Sequence, residues 1–166
     1  MPSASRARGT ATAPTVLDRL ALLIATAFGA GYSPVAPGTA GSAVTVLVLW
    51  LVPFSRVGLV LFFVAVVVIG TWAAHVAERC LGGKDPGAIV IDEVAGMTLS
   101  VIAFPLTPAV LLAGFVLFRV FDIVKPPPAR QSQRFSGGLG VMIDDVIAGL
   151  YALAILGASR ALFGWP

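Results

Sequence analysis

Four stretches of this chain, residues 20–55, 57–77, 94–118 and 146–159, contain no Asp, Glu, Lys or Arg. That gap pattern constrains the fold more than any other property of the sequence. An average soluble domain is about 25% charged, whereas this 166-residue chain is 11% charged and 58% hydrophobic. Too few polar groups remain to cover the surface of a small soluble domain, so lipid is the expected solvent. Residues 57–76, VGLVLFFVAVVVIGTWAAHV, form the clearest spanning segment, since about 20 apolar residues cross a hydrocarbon core of about 30 Å. Its valines do not argue for a strand, because only helices and closed barrels satisfy their backbones in lipid. A barrel would need repeated alternating segments of about 10 residues, and the sequence has none.

Several classes fall away. One cysteine, Cys80, rules out a disulfide scaffold. The apolar content rules out a disordered chain. The net charge of +3 is small and carries no basic run with interleaved aromatics, so no nucleic-acid partner is expected. Residues 1–15 read as a flexible polar tail and residues 16–166 as a single helical membrane domain. Arg6, Arg8 and Arg19 precede an apolar run, but that run is short and no clean small-residue site follows, which disfavours a cleaved signal peptide.

The expected architecture is all-α, a polytopic membrane bundle of five to six helices. The helices are expected at about 16–28, 42–52, 57–76, 88–104, 109–124 and 141–161, with polar loops at 29–41, 78–87 and 125–140. Pro126, Pro127 and Pro128 must end the fifth, because proline disfavours helical geometry in the residue before it. Positive charge marks the cytoplasmic side. The tail and the loop holding Lys125, Arg130 and Arg134 both qualify, which is inconsistent with six crossings. An interfacial or re-entrant first helix repairs the parity. The three loops then share one side, and the turns at 53–56 and 105–108 share the other. Trp50, Trp72 and Trp165 read as interfacial anchors.

Of eight acidic residues, five stand where solubility cannot explain them: Asp92, Glu93, Asp122, Asp144 and Asp145. Ionisable groups in membrane segments are costly and usually functional. Asp92-Glu93 and Asp144-Asp145 lie in similar settings, IDEVAG and IDDVIAG, each followed by Ala-Gly that permits close helix approach. An oxygen-only cluster suits a hard cation such as Mg²⁺. With one His and one Cys, a zinc site is not expected.

Arg119, Asp122 and Lys125, spaced i, i+3, i+6, share a helix face and suit a phosphate beside a metal. The structural alternative is an Arg119–Asp122 intrahelical pair with Lys125 at the helix C-terminus. The glycine-rich segment 29–42 offers backbone N–H groups at a helix start, where phosphate binds readily, with Thr39 or Ser42 as its cap. It lacks the lysine of a P-loop. His75 reads as a structural or interface group with a lesser claim to the site. Cys80 reads as a buried small residue, and Glu78, Arg79 and Lys84 as solvated loop charges. Asp85 is either an Asx-turn acid or an outer ligand.

Taken together, GAGYSPVAPGTAGS (29–42), KDPGAIVIDEVAG (84–96), FRVFDIVKPPP (118–128) and GGLGVMIDDVIAGLYA (137–152) resemble the phosphatidylglycerophosphatase A family, in its order and spacing. The resemblance spans about residues 20–158. It implies an all-helical bacterial inner-membrane enzyme, and the parity of positive loops puts its site on the cytoplasmic face. Such an enzyme uses Mg²⁺ to convert phosphatidylglycerophosphate to phosphatidylglycerol. It points to Asp92, Glu93, Asp122, Lys125, Asp144 and Asp145 as the polar centre, with Asp85, His75, Thr39 and Ser42 also on motif positions. Segment 129–138 departs from the pattern. Ser136 stands where some members carry histidine, so a histidine there takes no part in this chain.

From these residues, the five acids are expected to hold one or two Mg²⁺ ions. Thr39, Ser42, Arg119 and Lys125 are expected to meet the phosphate of a phospholipid substrate, and a free carboxylate to orient a water for direct attack, with an aspartyl-phosphate intermediate as the alternative. The competing expectation is an ion-coupled carrier, whose acids would lie near the bilayer midplane. The acids here flank polar loops, which favours an interfacial enzyme. Oligomeric state is left open.

Overall fold

A computed structural model describes residues 14–132 and 136–165. Arg6, Arg8 and Arg134, used in the orientation argument, lie outside them, as does the tail through residue 13. Among the described residues the chain is all-helical, with seven α-helices: α1 Val16–Ala25, α2 Pro37–Leu51, α3 Arg56–Leu81, α4 Ile91–Val101, α5 Pro108–Val124, α6 Ala129–Ser132 and α7 Gly138–Phe163. A 3₁₀ turn, Ala30–Tyr32, follows α1.

The first helix starts at a capping box. The Thr15 hydroxyl accepts from the Asp18 N–H at 3.2 Å, and the Asp18 carboxylate accepts from the Thr15 N–H at 2.9 Å. Ten residues rise only about 15 Å, half of a hydrocarbon core, so α1 cannot cross. It buries Ala21 and Ala25 while Leu17, Leu20 and Leu23 stay exposed, as expected of an interfacial helix. Two helices, α3 and α7, are long and apolar enough to cross a membrane.

The bundle is built around α4. Ile91, Asp92 and every residue from Val94 to Val101 are buried, enclosed by α2, α3, α5 and α7. The outer face of α3 instead exposes Val57, Val60, Leu61, Val64 and Val68. An apolar exterior around a core that holds acids fits a bundle solvated by lipid. Buried hydroxyls need no outside partners, because Thr45, Thr98 and Ser100 donate to the carbonyls of Gly41, Val94 and Gly96 four residues back.

Several boundaries differ from expectation. The second helix begins at Pro37, not near 42, because proline is pre-organised for the first helical position. Its N-cap is Ala36 with φ 49° and no side-chain cap. Thr39 and Ser42 therefore lie inside the helix rather than capping it, and the buried Ser42 hydroxyl donates to Gly38 O at 2.9 Å. Helix α3 continues to Leu81, so Glu78 and Arg79 belong to its last turns rather than to a loop. Cys80 is exposed, not buried, since it stands in the last turn of α3, one residue before the helix ends at Leu81. The first helix stops at Ala25, with Ala27 and Phe28 turning through positive φ.

Contacts gather the connecting segments into two groups. At one end Gly31 packs on Ala88, Gly38 on Glu93 and Gly137 on His75, while Glu78 accepts from the Asp85 N–H at 2.9 Å. At the other end the turns holding Pro53–Arg56 and Phe104–Leu106 line one depression.

Candidate functional site

The two acidic pairs meet because of the glycines one turn after them. Asp92 and Gly96 share a face of α4, and Asp145 and Gly149 share a face of α7, each at i, i+4. A Cβ on Gly149 would stand 2.5 Å from Gly96 O and 3.1 Å from Gly96 Cα, and one on Gly96 would stand 2.6 Å from Asp145 O. The two backbones therefore touch at these glycines. One turn back, towards the polar end, the acids are forced to face each other.

Two groups of carboxylate oxygens result, each with its members within 4.8 Å of one another: Asp92, Asp144 and Asp145, and Glu93, Asp122 and Asp145. Asp92, Asp122, Asp144 and Asp145 are buried. Asp92 Oδ1, Glu93 Oε2 and Asp145 Oδ2 are buried without a hydrogen-bond partner. A buried carboxylate oxygen left so costs about 1–3 kcal/mol or more, and a hard cation takes such oxygens as ligands. The donor set thus fits Mg²⁺ and offers nothing that zinc or copper would prefer.

Two basic residues brace the acids. Arg119 Nη1 lies 2.5 Å from Asp122 Oδ2 and 3.8 Å from Glu93 Oε1, so the intrahelical pair is present and extends to α4. Lys125 caps α5 with φ 47°, and this left-handed turn brings Nζ to 2.5 Å from Asp144 Oδ2 and 3.4 Å from Asp122 Oδ1. Burial alone would lower the Lys125 pKa, but the Asp144 hydrogen bond and charge, with those of Asp145 and Asp122, outweigh it and raise it above the ordinary lysine value. Lys125 is therefore a permanent cation at the site.

The N-terminus of α2 closes the site from above. A Cβ on Gly38 would collide with Glu93 Oε1 and stand 3.0 Å from Arg119 Nη1. Only glycine lets the first turn of α2, with its uncapped N–H groups, approach so closely. Thr39 is in that turn and half-buried. Asp85 and His75 fall outside both carboxylate groups. Asp85, with φ 49°, lines a polar cleft of about 310 Å³ with Glu78, Lys84, Gly137 and Asp144. Displacement of water by the surrounding protein and the charge of Asp144 raise its pKa. His75 is exposed beside Gly137, where a Cβ would stand 2.8 Å from its Nδ1. The contribution of Gly38 was not foreseen. The signal was present in Pro37-Gly38, a helix start of the type that admits a ligand.

A larger apolar groove of about 370 Å³ lies between α1, α2, α3 and α4. Its walls include Phe28, Val48, Phe62 and Val66, and they reach Ile91 and Val94, which flank Asp92 and Glu93. Polar site and lipid-like groove thus share α4.

The family model described as phosphatidylglycerophosphatase A matches residues 23–160. A Bacteroides thetaiotaomicron protein, provisionally named phosphatidylinositol-3-phosphatase, is 41% identical over 157 residues, covering 87% of this chain and 96% of that protein. The phosphatidylglycerophosphatase A of Escherichia coli K12 is 39% identical, covering 81% of this chain and 80% of its own length. That of Haemophilus influenzae Rd is also 39% identical, covering 81% and 85%. No solved structure matches the chain significantly.

Proposed function

The chain belongs to the phosphatidylglycerophosphatase A family, and from that premise we propose that it is a Mg²⁺-dependent enzyme hydrolysing the phosphomonoester of phosphatidylglycerophosphate to phosphatidylglycerol and phosphate. Membership makes it a phosphatase; the metal, the substrate and the residue roles are the proposal. One observation carries it: five carboxylates and two cations from three helices converge at the polar end of an apolar bundle.

Phosphoryl transfer depends on positioning and charge stabilisation more than on covalent help. Asp92, Glu93, Asp122, Asp144 and Asp145 would hold Mg²⁺, which when bound polarises phosphate oxygens and makes a water more acidic. The Lys125 ammonium meets the charge that develops on the phosphoryl oxygens. Backbone N–H groups in the first turn of α2, around Gly38 and Thr39, donate to the same oxygens. Arg119 holds Asp122 and Glu93 in place through its ion pairs, which makes it a positioning residue as well as a phosphate neighbour. A carboxylate oxygen of the cluster that no ion engages accepts the proton of the attacking water. The P–O bond to glycerol breaks as the water oxygen adds, and that carboxyl returns its proton to the glycerol oxygen. Ser42 supports the turn through its bond to Gly38 O rather than by reaching substrate. His75 and Asp85 border the route from the polar cleft.

The lipid tails stay in the bilayer, with the apolar groove offering one of them a path along α3. The enzyme is assigned to the bacterial inner membrane with this end towards the cytoplasm, where Arg19, Lys125 and Arg130 would lie.

The test is phosphate release from phosphatidylglycerophosphate by purified protein, with EDTA and then with Mg²⁺ restored. Turnover that EDTA abolishes and Mg²⁺ restores is expected. Full turnover in EDTA would overturn the metal assignment, and no turnover with Mg²⁺ would overturn the substrate. Because of the Bacteroides relative, phosphatidylinositol 3-phosphate is the second substrate to run. Faster release from it would transfer the assignment to that lipid.

A further inference from the structure

The carboxylates do not form one undifferentiated cluster. We propose that they make two overlapping cation sites hinged on Asp145: an inner site of Asp92, Asp144 and Asp145, and an outer site of Glu93, Asp122 and Asp145. This rests on the metal part of the proposed function and not on the identity of the lipid.

Three observations support two ions rather than one. The first is geometric. Each trio has its ligand oxygens within 4.8 Å, and Asp145 is the only member common to both. The shared carboxylate sits on α7 opposite Asp92 and Glu93, which are consecutive on α4. Asp92 and Glu93 stand about 100° apart around the α4 axis, and each gives its ligand oxygen to a different trio.

The second is the distribution of unpartnered oxygens. Asp92 Oδ1 lies in the inner trio, Glu93 Oε2 in the outer, and Asp145 Oδ2 belongs to the residue they share. Asp92 and Asp145 are 7% and 2% exposed, so water does not satisfy these atoms from bulk.

The third is charge. Five carboxylates against Arg119 and Lys125 leave three negative charges. One divalent cation and a phosphate dianion would leave the site as negative as before. Two divalent cations and the same phosphate leave about one negative charge, a state that a buried site tolerates far better.

The two sites are unequal. Asp122 in the outer trio is ion-paired to Arg119 at 2.5 Å and to Lys125 at 3.4 Å, and Glu93 lies 3.8 Å from Arg119. Within the inner trio, Asp144 is ion-paired to Lys125 at 2.5 Å, while Asp92 Oδ1 and Asp145 Oδ2 are unpartnered among the described residues. The inner site therefore fills first, and the outer binds at least tenfold more weakly.

Mn²⁺, which shares the oxygen preference of Mg²⁺, is the probe. Chelator-treated full-length protein in detergent is titrated with Mn²⁺, with bound metal counted by equilibrium dialysis and low-temperature electron paramagnetic resonance recorded at each step. Two ions per chain are expected, the first with an uncoupled six-line spectrum and the second bringing spin coupling, since paired ions in such sites lie about 3.5–4 Å apart. Asp92→Asn and Glu93→Gln should each leave one uncoupled ion, and Asp145→Asn should weaken both by tenfold or more. One ion per chain at saturation, two ions without coupling, or two coupled ions in Asp145→Asn would overturn the proposal. If Asp145→Asn does not fold, the count and coupling in the unaltered protein decide alone. Phosphate release is measured separately. Two coupled ions without lipid phosphatase activity would refute the proposed substrate and keep the paired sites, whereas activity with a single ion would do the reverse.

Discussion

Replacing Gly149 by alanine tests whether the contact of α4 with α7 sets the catalytic geometry. The new methyl carbon would stand 2.5 Å from Gly96 O, about 0.9 Å short of the 3.4 Å at which ordinary contact begins. Both neighbours are backbone atoms, so no side chain can rotate away. The helices must part by roughly 1 Å, and the acids one turn along must part with them. Overpacking of this kind costs about 1–3 kcal/mol, set against about 1 kcal/mol gained from the better helix propensity of alanine. A net loss of up to about 2 kcal/mol is expected. Turnover should suffer more, since a misplacement of about 1 Å can cost 10²-fold.

Gly157→Ala provides the control on the same helix. Nothing lies within 4 Å of its Cβ position, so this variant keeps only the propensity gain and should be as stable as the parent or more so, with unchanged kinetics. The assay is initial-rate phosphate release at saturating Mg²⁺ alongside thermal unfolding of the detergent-solubilised protein. If Gly149→Ala matches Gly157→Ala in both, helix contact does not govern the site and the reasoning fails.

Other substitutions probe the surrounding contacts. Lys125→Met removes the cation 2.5 Å from Asp144 and should lower turnover by about 10²-fold or more, with Lys125→Arg recovering part; equal activity in the Met variant would remove Lys125 from the reaction. Gly38→Val would drive a side chain into Glu93 and Arg119; because those are movable side-chain ends, the melting temperature should change little while kcat falls at least tenfold, which parallel melting and kinetic measurements will check. Thr15→Ala breaks the capping box of α1 and should cost about 1 kcal/mol of local stability, read as faster amide exchange in α1 with turnover preserved; slower turnover would mean that α1 docking reaches the site.

The sequence by itself pointed to an all-helical apolar bundle and singled out its acids. Charge-free stretches marked the apolar helices, and the proline triplet and glycine-rich segments marked the limits of several of them. The five acids could be singled out because carboxylates inside apolar segments are too costly to be incidental. That the first helix would not cross was expected from the parity of positive loops, and its ten residues are too few to span a bilayer. Only the tertiary structure decided which acids are neighbours. Residues 92, 122 and 145 are joined by contacts between helices far apart in the chain, and no local period encodes those. It also decided where α2 begins, which turned Thr39 and Ser42 from expected caps into residues inside the helix. It decided that Cys80 is exposed, since burial depends on which side of the last turns of α3 is packed, and Val76 and Ala77 take that side. The division of the acids around Asp145 has the same origin. Two glycines, each four residues after an acid, let two backbones touch, and that contact exists only when the helices have packed.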